Sequence, residues 1–205
     1  MVSVTIADAW PRDGREFTIE DLDRMPDDGH RYELLDGSLI VSPAPGLPHQ
    51  RVAVMLIVLL ELACPDDLVV FPNVNVRFAP LSALEPDAVV ARPPGVSGPR
   101  LVDPPLLVAE ILSPDSALRD LNLKKAAYER FGVPSYWVID PDLDRPSLTA
   151  FELADGGYAE VAHVAGDQVF TAQRPFAVEI VPSRLVAKLR TGPAAGSSGR
   201  QDGLG

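Results

Sequence analysis

Cysteine is almost missing from this chain: Cys64 is the only one in 205 residues, so no internal disulfide can form. It sits at the apolar end of a predicted helix and reads as a buried structural thiol, not a nucleophile. A reducing cytoplasm is the expected compartment. Long apolar runs are also lacking. The longest, VAVMLIVLLELAC over 52–64, falls short of the roughly 18 residues a membrane span needs. The N-terminus shows no basic-then-apolar signal pattern. Lysine is scarce, with only Lys124, Lys125 and Lys188, and the remaining basic residues are scattered arginines. Against 29 acidic residues the net charge is −11. This balance opposes non-specific binding to a phosphate backbone, which draws its affinity from clustered Lys and Arg. Any nucleic-acid partner is therefore expected to meet low intrinsic affinity, or a local basic strip that the total conceals.

Proline, by contrast, is plentiful. The 21 prolines are about twice the usual share of roughly 5%, which suits many short elements closed by turns. Residues 1–16 read as a loose lead-in. Thr18 and Asp21 have the spacing of a capping box, which opens a short helix through Arg24. RYELL and SLIVS flank Asp36-Gly37, a hairpin signal. Pro48 opens a helix of about 15 residues with Val52, Leu56, Leu59 and Leu60 inward. Strands are predicted near 68–71, 73–78, 86–91 and 106–112. In NVNVRF, Asn73, Asn75 and Arg77 alternate with Val74, Val76 and Phe78. SYWVI adds a strand, and 146–180 reads as an antiparallel meander turning at Gly156-Gly157. PSRLVAKL is a last short helix, and the polar, glycine-rich 191–205 reads as a disordered tail. Helix-linked and hairpin-linked strands together imply one mixed α/β (α+β) domain over 17–190, a mixed sheet flanked by helices.

The two adjacent lysines differ in phase. At 3.6 residues per turn Ala117, Leu121, Lys124, Tyr128 and Phe131 share one helix face, with Asp120 one turn before Lys124. Lys125 is rotated away, toward Asn122 and Glu129. An ammonium aimed into a core needs an opposite charge. In LLVAEILS, Glu110 stands between Val108 and Leu112 on one face of a buried strand and can supply it. A third acid, Asp87, opens the apolar segment EPDAVVARP.

Asp87, then Glu110 on the next strand, then a lysine is the order of the PD-(D/E)xK nuclease core. The chain resembles the Uma-two family, a restriction-endonuclease-like branch of that superfamily. The matching segments are RYELLDGSLIVSPAP (31–45), the following His49, EPDAVVARP (85–93), LLVAEILSPDSALRDLNLKKAAYERFGV (106–133) and PSYWVIDP (134–141). The resemblance implies a restriction endonuclease-like fold, metal-dependent hydrolysis of DNA and a homodimer. Its interface would come from an exposed sheet edge or the C-terminal meander. Glu33, Asp87, Glu110 and Lys124 would be catalytic. Asp87, Glu110 and the carbonyl of Ile111 would hold Mg²⁺ or Mn²⁺, hard ions that take oxygen ligands. The superfamily's lysine normally stands two residues after the second acid; that position is Leu112 here, and the family pattern places the lysine on the following helix, at Lys124.

Other residues read more plainly. Glu33 alone reads as an exposed hairpin glutamate, sharing a strand face with Arg31 and Leu35; the resemblance makes it an additional site acid. His49, in the first turn of its helix, reads as a packed or capping residue beside the site. Asp120 reads as an i,i+4 partner that orients Lys124, and Ser113 as a helix cap near Asp115. Tyr128 and Trp137 read as core. Two functions stay open: a metal-dependent endonuclease, and a nuclease-fold protein without catalysis used for binding or assembly. A structural ion cluster alone would leave excess buried negative charge.

Overall fold

The computed structural model describes residues 14–93, 100–113 and 119–189, with the backbone alone at 119–121. Most of the lead-in and the 191–205 tail lie outside the described residues. Thr18 and Asp21 close the capping box in both directions, so helix α1 (Ile19–Leu22) starts where their spacing predicts. The Asp21 carboxylate also accepts two hydrogen bonds from Arg15, at 2.6 and 2.8 Å. Strands β1 (Arg31–Leu35) and β2 (Ser38–Ser42) pair in the register Leu35↔Ser38. Asp36 and Gly37 turn between them with φ of 48° and 75°, the positive pair that a two-residue hairpin loop requires. Helix α2 (Leu47–Ala63) carries Pro48 in its first turn and buries His49, Val52, Leu56 and Leu60. Cys64 ends it half-buried rather than fully buried. Burial, with help from Glu61 and Asp67, pushes its thiol up and so away from the reactive thiolate.

Beyond α2 lie β3 (Val69–Pro72), β4 (Val76–Ala79), β5 (Ser82–Leu84), β6 (Ala88–Ala91) and β7 (Leu107–Ile111). A π-helical segment, Arg119–Lys124, runs into α3 (Lys125–Arg130). Then come β8 (Ser135–Asp140), β9 (Ser147–Ala154), β10 (Gly157–Ala165), β11 (Phe170–Ala172), β12 (Val178–Ile180) and α4 (Pro182–Val186). Six strands form the central sheet in the order β10-β9-β8-β7-β6-β3, in which β7–β8 is the parallel pair. The expected single sheet is in fact divided. A four-stranded sheet, β2-β1-β5-β4, stands apart, and β11-β12 form a third. The hairpin separates because β1 buries Tyr32 and Leu34 against Phe17, Ile19, Leu22 and Ala83, a small core of its own. β5 escaped the sequence reading because three residues carry no periodicity. The strand expected over 73–78 begins only at Val76, because Asn73 takes φ 44°.

The central sheet separates two apolar layers. Leu107, Ala109 and Ile111 of β7 face α2 and α4, together with Trp137 and Ile139. Val108 faces the other way, toward Ala127, Tyr128 and Tyr136. β7 and β8 are parallel, so the segment joining them must cross over a sheet face. That crossover carries Lys124 and Tyr128 across the face on which Glu110 stands. Helix α2 is apolar on nearly every side, and Val54, Val58 and Leu62 are exposed along it; Val54 and Val58 form part of a cleft wall. No helix among the described residues is long and apolar enough to cross a membrane.

Two turn glycines separate backbone strain from crowding. A Cβ on Gly37 would lie 2.8 Å from the Cβ of Glu16, whereas one on Gly156, at φ 82°, would meet nothing within 4 Å. Gly156→Ala is expected to cost about 1 kcal/mol for the left-handed backbone alone, and Gly37→Ala about 2 kcal/mol or more once the contact is added. Urea denaturation of the two variants checks this; equal losses would mean that Glu16 moves aside freely.

Candidate active site

Four elements deliver charged side chains to one place. β1 turns Arg31, Glu33 and Leu35 to the face opposite Tyr32 and Leu34. Asp87 immediately precedes β6, where Ala88 pairs with Ala109 of β7, and this brings it alongside Glu110 and Ile111. The π-helical segment ends on Lys124. Glu33 and Glu110 are fully buried, and Asp87 and Lys124 are each 1% exposed.

The charges alternate. Lys124 Nζ lies 2.9 Å from Glu33 Oε1 and 3.0 Å from Glu110 Oε1. Arg31 lies 3.7 Å from Glu33 through Nε and 3.0 Å from Asp87 Oδ1 through Nη1. The chain of contacts is therefore Asp87, Arg31, Glu33, Lys124, Glu110, three acids bridged by two cations. Neutral donors brace it. The Glu85 N–H donates to Glu33 Oε1 at 2.9 Å, the Tyr128 hydroxyl to Glu110 Oε1 at 2.6 Å, and the Ile111 N–H to Asp87 Oδ2 at 2.7 Å. His49 Nε2 sits 3.0 Å from the same Asp87 oxygen.

Burial alone would raise the Asp87 carboxyl. The hydrogen bond and charge of His49, the charge of Arg31 and the Ile111 N–H outweigh it and hold Asp87 below the usual carboxylate range. Burial likewise disfavours the Arg31 cation, but Glu33, Glu110 and Asp87 together raise its pKa further above the already high arginine value. Burial pushes Glu85 up, and the neighbouring Glu33 and Asp87 charges add to it against Arg31. Tyr128 is raised well above a free phenol by burial and then by Glu110 and Glu33, so its proton stays in place to donate.

A cleft of about 870 Å³ opens onto one end of this chain. Arg31, His49, Glu85 and Asp87 line it; Glu33, Glu110 and Lys124 lie behind. One wall is the outer face of α2, with Val54, Ile57 and Val58, and the opposite side includes Leu22, Met25 and Arg100. Arg100 is paired with Asn75 and Asp23, and Arg31 with Asp87, so both cleft arginines already have anionic or polar partners.

Of the residues singled out by sequence, Glu33, Asp87, Glu110 and Lys124 converge, and His49 touches Asp87 directly. Glu33 is not the exposed hairpin residue that its strand alone suggested. Lys125 is rotated away from the acids and half-buried, its ammonium 3.7 Å from the centre of the Phe151 ring. Trp137 is core, as read. Ser113 is half-buried just after β7, and the helix start near Asp115 that it was expected to cap lies outside the described residues. The Asp120 side chain also lies outside them. Arg31 and Tyr128 were not read as site residues. Their signals were present: Arg31 shares Glu33's strand face, and Tyr128 follows Lys124 by four residues on one helix face.

This donor set suits an oxygen-seeking divalent ion by its chemistry. It offers carboxylates and no thiolate, and three buried acids meet two cations, Arg31 and Lys124. Among the described residues no three His, Cys, Asp or Glu side chains are grouped to hold a metal alone. Two carboxylates and a backbone carbonyl remain sufficient, because such ions keep several waters.

Central sheet, crossover and buried acids together define a restriction endonuclease-like protein. The fold is similar to that of a crystal structure described as a putative nuclease from Anabaena variabilis, with a TM-score of 0.68 at 17% identity, covering 85% of this chain and 99% of that one. The sequence model of the Uma2 family, described as "putative restriction endonuclease", matches residues 19–185. The chain belongs to that family. No functionally curated protein matches it.

The adjacent lysines give a direct test of the charge chain. Lys124→Ala would leave Glu33 and Glu110 buried without their shared cation and should cost about 3–5 kcal/mol. Lys125→Ala removes a half-buried cation–π contact and should cost about 1 kcal/mol or less. Guanidinium denaturation measures both, and similar costs would show that Lys124 does not neutralise the buried pair.

Proposed function

We propose that this protein is a metal-dependent endonuclease that hydrolyses DNA phosphodiester bonds. The observation that carries the proposal is the convergence of Glu33, Asp87 and Glu110, from separate segments of the chain, on Lys124 and Arg31 at the head of an open cleft. An idle site has no physical reason to retain so many mutually desolvated charges. Asp87 and Glu110, with the Ile111 carbonyl, would hold Mg²⁺ or Mn²⁺. Such an ion, when bound, supplies Lewis acidity and compensates charge on the phosphate. The protein's own groups fix the donors. The Ile111 N–H and His49 set the rotation of Asp87 through Oδ2. Lys124 and Tyr128 both engage Oε1 of Glu110 and so hold its carboxylate plane. Lys124 also ties Glu33, so its first work is to orient carboxylates and balance their charge. The apolar α2 wall limits water on one side of the cleft.

A second reading, a nuclease-fold protein that binds or assembles without cutting, draws support from two observations. Lys124 is 1% exposed, and both oxygens of Asp87 already have protein partners. The net charge of −11 also suits weak attraction to DNA. A homodimer accompanies the first reading, since cutting both strands of a duplex calls for two sites. β10, one of the two edge strands of the central sheet, exposes Val161 and is the edge on which it would form. Cys64, the single thiol, is compatible with a cytoplasmic setting.

Calorimetry with Mn²⁺ and a cleavage assay on single- and double-stranded DNA separate the two readings. Asp87→Asn and Glu110→Gln should each abolish the Mn²⁺ heat and turnover, while Lys125→Ala keeps both. Equal heats from the parent and Glu110→Gln would sink the metal site, and cleavage absent with every divalent ion and DNA form would leave the binding role. Sedimentation at tens of micromolar, on the order of where weak interfaces already form, should give a dimer; a monomer counts against two-strand cutting.

A further inference from the structure

Arg31 is the one cation of the buried chain that also borders the cleft. Its side chain is 18% exposed, against 2% for that of Lys124. The two oxygens of Asp87 are held by groups of different kinds. Oδ2 is tied to the Ile111 backbone and to His49, itself 7% exposed in the first turn of α2. Neither can leave without disturbing a strand or a packed helix. Oδ1 is held by Arg31 Nη1, which also donates to the Glu85 carbonyl at 3.3 Å. A long side chain at the cleft edge can withdraw by rotating about its own bonds. Lys124, locked between two fully buried glutamates, cannot.

Charge exchange points the same way. A divalent ion at Asp87 would supply more than the single charge that Arg31 gives up there, and would free a guanidinium. That planar fork matches two oxygens of a phosphate. Resting on the metal-dependent reading above, we propose that Arg31 is a placeholder cation: it occupies Oδ1 of Asp87 until a divalent ion takes that oxygen, and then swings into the cleft to meet a backbone phosphate of the nucleic acid. Ion and arginine compete for one carboxylate oxygen, so ion loading and the presentation of a phosphate-binding group are a single event.

Mn²⁺ calorimetry on the full chain tests the competition, using the parent, Arg31→Met, Arg31→Lys and Arg100→Met. Arg100 lines the same cleft without touching Asp87, so its loss controls for removing one positive charge nearby. Arg31→Met is expected to bind Mn²⁺ at least about tenfold more tightly than the parent, a change of roughly 1.4 kcal/mol. Arg31→Lys, with shorter reach and no fork, should fall between them and serves if Arg31→Met does not fold. Arg100→Met should differ from the parent by less than about threefold, well under that change. Unchanged or weaker binding in the Arg31 variants, with the parent binding normally, overturns the placeholder role and leaves the metal site standing. Equal tightening in Arg100→Met overturns it too, since the effect is then general charge. No Mn²⁺ heat from any of the four proteins overturns both the placeholder and the metal-dependent reading.

Discussion

The alternating chain of Asp87, Arg31, Glu33, Lys124 and Glu110 is the constraint around which the rest of the molecule is arranged. Removing charges from water costs several kcal/mol each, even after relaxation. Such a cluster persists only if every member meets an opposite charge at contact distance and the remaining lone pairs find donors. The first condition holds throughout; the second holds at most of the oxygens, Glu33 Oε2 having only the 3.7 Å contact with Arg31. Arg31 and Lys124 each bridge two acids, and the Glu85 and Ile111 amides and the Tyr128 hydroxyl supply neutral donors. The result is an interior polar layer that joins the hairpin sheet to the central sheet.

That layer also explains why the hairpin stands apart from the central sheet. If β1 were simply added to the edge of the six-stranded sheet, Glu33 would have to point into an apolar layer or into solvent. By pairing instead with β2 and β5, β1 can bury Tyr32 and Leu34 on one side and bring Arg31 and Glu33 to the acids of β6 and β7 on the other. The parallel crossover from β7 to β8 completes the arrangement. It is the connection that brings Lys124 over the face on which Glu110 stands.

The distribution of exposure within the cluster bears on chemistry. Glu33, Glu110 and Lys124 lie away from the cleft and hold one another. Asp87, Arg31, His49 and Glu85 line it, and of these Arg31 is the long side chain at its edge. A strongly acidic protein gains from this layout. With the cleft arginines held by acidic or polar partners, little free positive charge is offered to polyanions in general.

The sequence by itself determined the local elements and the phase of the charged residues. The Thr18–Asp21 spacing, the Asp36-Gly37 turn and the alternation around Glu110 each depend on a few adjacent residues, because backbone conformation and periodicity are short-range properties. Helical phase likewise separated Lys124 from Lys125, and the order of Asp87, Glu110 and Lys124 together with the segments flanking them carried the resemblance to the Uma2 family. Partnership was decided only in three dimensions. Nothing local says that Arg31 reaches Asp87 across more than fifty residues, that His49 from another element binds the same carboxylate, or that a core tyrosine spends its hydroxyl on Glu110. Nor could three residues at Ser82–Leu84 announce a strand whose pairing splits one expected sheet into separate sheets. Those outcomes follow from desolvation, which makes each buried charge seek whichever partner the packed elements bring within hydrogen-bond distance, however far away it lies in the chain.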